Sequence, residues 1–227
     1  MDQSERRLFL IRSLLSEKKE YRDIGIPAEP DGQRPLLRGL MNVRAPQRAD
    51  TEFLKVQDEY LRAETAAKGV TDIADLTPIR QGLYLWQGDI TTLRCDAIVN
   101  AANSGMTGCY IPNHRCIDNA IHTFAGVELR LACAELMEKQ GHPEPTGRAK
   151  ITPAFDLPCR YVLHTVGPII QGRVTPRDRE RLFSCYRSCL ELAAENGLES
   201  VAFCCISTGE FHFPNEQAAQ IAAEMVK

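Results

Sequence analysis

The sequence predicts an α/β layered fold built on a largely parallel sheet, and two observations carry that expectation. From Leu83 onward, short apolar runs of strand length alternate with amphipathic stretches of helix length, the pattern that lays helices over a parallel sheet. Three of the apolar runs end in polar or glycine-containing turns, which is where open α/β sheets collect ligands. A chain of 227 residues with 44% apolar content can bury one substantial core and carry an appendage.

Residues 1–75 are expected to form a helical N-terminal extension. Leu8, Phe9, Ile11, Leu14 and Leu15 recur at helical spacing, and so do Phe53, Leu54, Val56, Tyr60 and Leu61. Between these two helices, the run 26–48 is rich in Pro and Arg and reads as a connector with one short helical turn. The main domain is expected over 76–227. Residues 83–86 (LYLW) and 96–103 (DAIVNAAN) read as strands, 117–140 as one helix, and 148–155 and 161–168 as strands. Residues 176–196 then read as a helix, 200–208 as a strand and 214–227 as a closing helix. The chain shows no internal repeat.

Composition excludes several function classes. A formal charge of −3 with no sustained basic stripe argues against binding nucleic acid chiefly through its phosphates. The first residues thread charges through their apolar positions, which fits neither a secretory signal nor a membrane anchor, and no later stretch approaches the length of a bilayer span. An odd count of nine Cys without a secretion signal fits a reducing compartment, so a cytoplasmic location is expected.

Cys109, His114 and Cys116 stand within one short run, Gly-Cys-Tyr-Ile-Pro-Asn-His-Arg-Cys, with no fourth ligand beside them. A structural zinc closes its tetrahedron with four protein ligands, whereas three leave a position for water or substrate. Cys and neutral His select zinc over magnesium or calcium, and Pro112 and Asn113 favour a turn that lets the three converge. Nine Cys and five His are also enough to produce about one such triplet by accident. Cys95, Cys133, Cys159, Cys185, Cys189, Cys204 and Cys205 read as buried free thiols that pack as small hydrophobes.

The turns at the strand ends carry the remaining candidates. Gln87-Gly88-Asp89-Ile90-Thr91 follows the first apolar run, Ala101-Ala102-Asn103 follows the second, and Ile206 to Pro214 follows the last. Ser207, Thr208 and Gly209 offer backbone N–H groups and hydroxyls near a helix start, which is anion-binding chemistry, although such turns are common without a ligand. Asp89 serves equally as a turn cap or as a reader of a base.

Taken in order, Gly88-Asp89-Ile90-Thr91, Val99-Asn100-Ala101-Ala102-Asn103, Val162-Leu163-His164-Thr165-Val166-Gly167-Pro168 and Ile206-Ser207-Thr208-Gly209 resemble the macrodomain family from about Leu83 to the C-terminus. The Cys109 to Cys116 loop, followed by Asp118, Asn119, Ala120, Ile121 and His122, resembles the zinc-dependent macrodomains of the ADP-ribosyl hydrolase type, as does Glu210-Phe211-His212-Phe213. The resemblance implies a three-layer fold with a mixed, largely parallel central sheet. Such macrodomains continue into a further strand and helix, so a chain stopping at Lys227 is expected to be short at the C-terminal end.

The resemblance also implies roles. Asp89, beside Ile90, accepts a hydrogen bond from the adenine amino group, and the turn Ser207, Thr208, Gly209, Glu210, Phe211 cradles the diphosphate. Asn103, Cys116, Ile117, Asp118 and Asn119 line the distal ribose, with zinc on Cys109, His114 and Cys116 beside the anomeric carbon. There zinc can polarise a ribose hydroxyl or the scissile carbonyl, or supply hydroxide. The implied activity is removal of mono-ADP-ribose from a modified protein, with acidic side-chain esters as the linkage. Asn103 and Asp118 are the catalytic candidates. Asp118 lies two residues past a proposed ligand, where a carboxylate can act as base or orient zinc-bound water, or can simply cap the next helix. His122 reads as a packed histidine, His164 as a partner within the sheet, and His212 as either structural or ligand-facing. Two other readings share these residues: a non-catalytic ADP-ribose-binding module with a structural zinc, and a hydrolase of a small ADP-ribose metabolite. The N-terminal helices serve either to cover the core or to recognise the modified acceptor.

Overall fold

The structure is a computed structural model and describes residues 1–226. Helices α1 (Gln3–Ser16), α2 (Pro30–Val43) and α3 (Thr51–Lys68) come first. Asp2 starts α1 in a capping box with Glu5, and Asp50 caps α3 through the Phe53 amide. Leu10, Ile11, Leu14, Leu37, Leu40, Phe53, Val56 and Leu61 bury against one another between the three helices, and Val127 closes this cluster from the chain's later half. The 26–48 run is therefore not a connector: its middle is a full amphipathic helix. Pro30 sits at the helix start, where its missing N–H costs nothing. Pro35 removes one internal hydrogen bond, but the buried stripe of Leu37, Leu40 and Met41 outweighs that loss.

Short strands β1 (Thr71–Asp72) and β2 (Leu93–Arg94) pair in parallel. The main sheet has β3 (Ala97–Ala102), β4 (Ala149–Pro153), β5 (Tyr161–Val166) and β6 (Val201–Ala202) in the order β4-β5-β3-β6. β3 pairs in parallel with β5, from Ala97 opposite Tyr161 to Ala102 opposite Val166, and in parallel with β6; β4 runs antiparallel on β5. β3 and β5 are covered on both faces, which is why they read as almost unbroken apolar runs. Alternate side chains feed two cores. Val99 and Leu163 point toward α6 (Pro176–Glu195) and α7 (Asn215–Met225), meeting Leu182, Cys185 and Ile221. Ile98 and Val162 point the other way, toward α4 (Ile117–Phe124) and α5 (Val127–Gln140), meeting Ile121 and Leu129. The result is three layers with a mixed, mostly parallel sheet, as expected.

Several elements differ from the sequence pattern. The apolar run 83–86 is not a strand: beyond the bridge of Leu83 to Arg80 its backbone has no ladder partner among the described residues, and Leu85 is 81% exposed. Period-2 apolarity makes a strand only where a neighbour receives its N–H and C=O groups. The predicted helix 117–140 breaks at Gly126, whose φ of 89° no L side chain adopts comfortably, and Gly126 becomes the N-cap of α5. The predicted strand 200–208 pairs only over Val201–Ala202, and Cys205 is exposed, so this thiol is not a core hydrophobe. The closing helix ends at Met225; Lys227, which falls within its expected span, lies outside the described residues. No helix among the described residues is long and apolar enough to cross a membrane.

Candidate functional site

The carboxyl ends of β3 and β6 open onto a cleft lined by Asp89, Asn103, Cys109, His114, Asp118 and Glu210. Its floor is polar and tightly wired. Asn100, fully buried on β3, donates to Asp118 Oδ1 at 2.8 Å and lies 3.1 Å from His164 Nδ1. Asn103, one residue past β3, donates to Asp118 Oδ2 at 3.3 Å and to the Gly108 carbonyl at 3.1 Å. Asp118 does not cap α4. Cys116 does so, its Sγ accepting from the Asn119 amide at 3.4 Å, which leaves the Asp118 carboxyl buried between two asparagine donors. Burial pushes this carboxyl up to about 6, against the opposing pull of the Asn100 hydrogen bond and the Arg130 charge.

Cys109, His114 and Cys116 converge. Their ligand atoms all lie within 4.8 Å of one another, with Cys109 Sγ 3.5 Å from His114 Nδ1. Asn113 enters the left-handed region at φ 57°, and His114 N–H closes the turn onto the Ile111 carbonyl at 3.2 Å. Two thiols and an imidazole brought together in one half-buried loop are a donor set that fits zinc. Burial raises the Cys116 thiol to about 11, with Cys109 and Asp118 adding to the cost of an anion there; a bound cation is what reverses such a cost. His114 Nε2 lies 3.4 Å from Glu210 Oε1, tying this loop to the turn across the cleft.

That turn is shaped to receive an anion. Ser207 and His212 hold φ values of 65° and 56°, and the turn closes through Phe213 N–H on the Ser207 carbonyl and His212 N–H on the Gly209 carbonyl, each at 2.9 Å. The amides of Gly209, Glu210 and Phe211, three consecutive residues that line the cleft, are donors with no acceptor among the described residues. Helix α7 begins only at Asn215, so these donors belong to a free-standing turn and not to a helix start. Ser207 Oγ is buried without a partner. At the other end of the cleft, Asp89 accepts from the Thr91 amide at 3.0 Å and its hydroxyl at 2.6 Å. Lys68 of α3 lies 3.3 Å from the other carboxylate oxygen and 3.3 Å above the Phe124 ring. Burial works against the Asp89 charge, but the Thr91 bonds and Lys68 hold its carboxyl below the usual value. Asp89 is thus both a turn former and a carboxylate with one edge on the cleft.

Of the predicted site residues, Asp89, Ile90, Asn103, Cys109, His114, Cys116, Ile117, Asp118 and the stretch 207–211 share this one cleft. Asn119 does not. It is fully buried under the ligand loop, where its amide donates to the carbonyls of Ile111 and Cys109 and its oxygen accepts from Arg38. An asparagine whose donors and acceptor are all engaged by protein has nothing left to offer a ribose. His122 is a packed histidine inside α4, 3.6 Å from Asp118 Oδ1, and burial drives its pKa well below the ordinary value. His164 bonds within the sheet as expected, 2.9 Å from the Thr152 hydroxyl on β4. Arg38 and Asn42 escaped sequence reading because they sit on the supposed connector, with no local signal of a destination some seventy residues away.

Fold and site together define an α/β domain of the macrodomain type. Residues 99–222 match the model of the Macro domain family, and the chain belongs to that family. A protein of Treponema medium named protein-ADP-ribose hydrolase is 60% identical over 231 residues, spanning 100% of this chain and 88% of its own. One of the same name from Staphylococcus aureus strain MSSA476 is 47% identical over 221 residues, spanning 96% of this chain and 83% of its own. Among solved structures, the Oceanobacillus iheyensis macrodomain with ADP is 43% identical at a TM-score of 0.56, over 61% of this chain and 71% of that one. The Trypanosoma brucei macrodomain in complex with ADP is 31% identical at a TM-score of 0.61, over 83% of this chain and 82% of that one.

Proposed function

We propose that this chain is a zinc-dependent hydrolase that releases mono-ADP-ribose from modified proteins, acting on esters of acidic side chains in the cytoplasm. The observation that carries the reading is one cleft that joins a buried carboxyl of raised pKa, Asp118, to the Cys109, His114 and Cys116 loop and to the open amides of 209–211. The names of the two hydrolase relatives and the ADP in the two solved macrodomains support the same substrate.

The residues divide the ligand between them. Asp89 accepts from the adenine amino group beside Ile90, and the Gly209, Glu210 and Phe211 amides hold the diphosphate without a lysine. Asn103 and Ile117 border the distal ribose. Cys109, His114 and Cys116 would hold zinc, which would supply Lewis-acid chemistry and make water more acidic there. Asp118, fixed by Asn100 and Asn103, accepts a proton from water as the water oxygen adds to the ester carbonyl, and returns it to the departing ribose oxygen as the ester bond between ribose and acceptor breaks, giving a free carboxylic acid and ADP-ribose.

The test is release of ADP-ribose from an acceptor protein modified on glutamate or aspartate, with and without a chelator. Metal-dependent release is the expected result. Tight ADP-ribose binding without release would leave only a binding module, and a preference for free acylated ADP-ribose over the modified protein would make the substrate a small metabolite.

A further inference from the structure

Helix α2, which precedes the span matching the Macro domain model, reaches the ligand loop through Arg38 and Asn42. Arg38 donates through Nη2 to the His114 carbonyl at 3.0 Å and to Asn119 Oδ1 at 2.9 Å. Asn119 in turn donates to the Ile111 carbonyl at 3.0 Å and the Cys109 carbonyl at 3.4 Å. One turn on, Asn42 is 1% exposed; its Oδ1 accepts from the Asn113 amide at 2.9 Å and its Nδ2 donates to the Thr123 hydroxyl at 2.9 Å. Between them, Gly39 keeps its face bare where the loop leans on the helix: a Cβ there would stand 3.3 Å from Asn113 Nδ2 and 3.6 Å from Pro112 Cβ. A glycine inside a helix costs about 0.5–1 kcal/mol relative to alanine, and the close approach of the Asn113 side chain accounts for its presence. The end of α2 is fastened by Arg130 of α5, whose Nη1 donates to the carbonyls of Asn42 and Arg44 at 2.6 Å each while its guanidinium stacks on Tyr110 at 4.2 Å.

From this network we infer that α2 is the scaffold of the ligand loop, with Arg38 and Asn42 as positioning residues that bring Cys109, His114 and Cys116 together before any metal arrives. A loop built on Pro112 and a left-handed Asn113 has many alternatives in isolation. Buried Asn42 and half-buried Arg38, both on one helix, remove them by engaging the loop's own backbone, the Asn113 amide and the His114 carbonyl. The N-terminal helices thus have a task beyond covering apolar surface, and one that needs no contact with the acceptor protein. Outer partners of this kind typically set metal affinity by 10–100-fold.

The role of the loop as a metal site rests on the proposed function, so the experiment separates the two. In the full-length metal-free protein, amide hydrogen exchange at Asn113 and its loop neighbours is compared among wild type, Asn42→Ala, Asn42→Asp and Arg38→Gln. Zinc affinity is then measured by competition with a chromophoric chelator. We expect Asn42→Ala and Arg38→Gln to exchange the loop amides at least tenfold faster and to bind zinc about 10–100-fold more weakly. Asn42→Asp keeps an oxygen for the Asn113 amide and is expected to restore protection. Asn42→Ala is expected to bind ADP-ribose within threefold of wild type, which a general loss of fold would not permit. Unchanged exchange and zinc affinity within twofold in both variants would overturn the inference. A wild type that takes up no zinc would instead overturn the metal reading, with the exchange rates still deciding whether α2 shapes the loop.

Discussion

Asn100 donates its side-chain amide to Asp118 Oδ1 at 2.8 Å, a bond that runs from the central strand to the first turn of α4. With Asn103 on the second oxygen at 3.3 Å, both lone-pair faces of a buried carboxylate meet donors that belong to β3 or its end. Asp118 therefore has a fixed orientation whatever fills the cleft, and that is what a base needs before its pKa matters.

Replacing Asp118 by Asn keeps the size and removes the basicity. The turnover number is expected to fall by about 10²–10⁴-fold, the usual scale for general base catalysis, with ADP-ribose affinity within threefold as read by titration calorimetry. In the wild type, the carboxyl raised to about 6 from an ordinary 3.8 must be ionised to accept a proton. Activity should accordingly drop as pH falls through about 6, and the acid limb of kcat should vanish in the variant's residual rate. An unchanged limb would assign the titration to another group.

Cys116 has two duties that one substitution separates. Its Sγ caps α4 through the Asn119 amide and stands among the three candidate ligands. Serine caps a helix at least as well as cysteine but is a poor zinc ligand, so Cys116→Ser should melt within about 2 °C of wild type and still bind ADP-ribose. Release from a modified protein should fall at least a hundredfold in the variant, and comparably in wild type treated with chelator. Full activity in either would remove the metal from the reaction.

The central part of the order was legible because β3 and β5 are buried on both faces and α6 carries one apolar stripe, so local pattern and final environment agree there. Cys109, His114 and Cys116 were legible as a cluster for the same local reason. What local pattern hides is the distant partner. Residues 83–86 have a strand's alternation without a ladder to join, and 26–48 has a connector's prolines yet packing faces that only distant elements, α1 and α4 among them, make worthwhile. Asn119 reads as a ribose ligand because it follows Ile117 and Asp118, which read the same way; that Arg38 takes its oxygen could be learned only in three dimensions.

Gly167 sits at the end of β5 directly behind the anion turn. A Cβ there would come within 1.9 Å of Ser207 Oγ and 3.0 Å of Ile206 Cγ2. Ser207 already holds a left-handed φ and is buried, so its hydroxyl cannot swing away at low cost. Gly167→Ala should displace the 207–211 amides and weaken ADP-ribose binding by tenfold or more, while zinc content stays at the wild-type level because the ligand loop lies across the cleft. Wild-type affinity for ADP-ribose in the alanine variant would show that the turn is not where the nucleotide is held.

Asp156 meets Asp58 and Arg62 of α3 at the seam between the N-terminal helices and the sheet. Its side chain is 1% exposed; Oδ1 lies 2.9 Å from Arg62 Nε, yet neither of its oxygens receives a well-directed hydrogen bond. Burial first, and the adjacent Asp58 charge second, raise the Asp156 carboxyl to about 7 from an ordinary 3.8, against the pull of Arg62. The folded state therefore takes up a proton that the unfolded chain leaves in solution between those two values. The sign follows: stability drawn from this group rises as pH falls from about 7 toward 4, and the ionised carboxylate is a cost above 7. Asp156→Asn retains an oxygen for Arg62 and gives Asp58 a donor. It should raise the melting temperature at pH 8 by about 2–4 °C for each kcal/mol recovered in a chain of this size, and the gain should shrink steadily toward pH 4. Melting curves of the two proteins across that range decide it: a variant less stable than wild type at pH 8 would mean the Arg62 pair outweighs the buried charge.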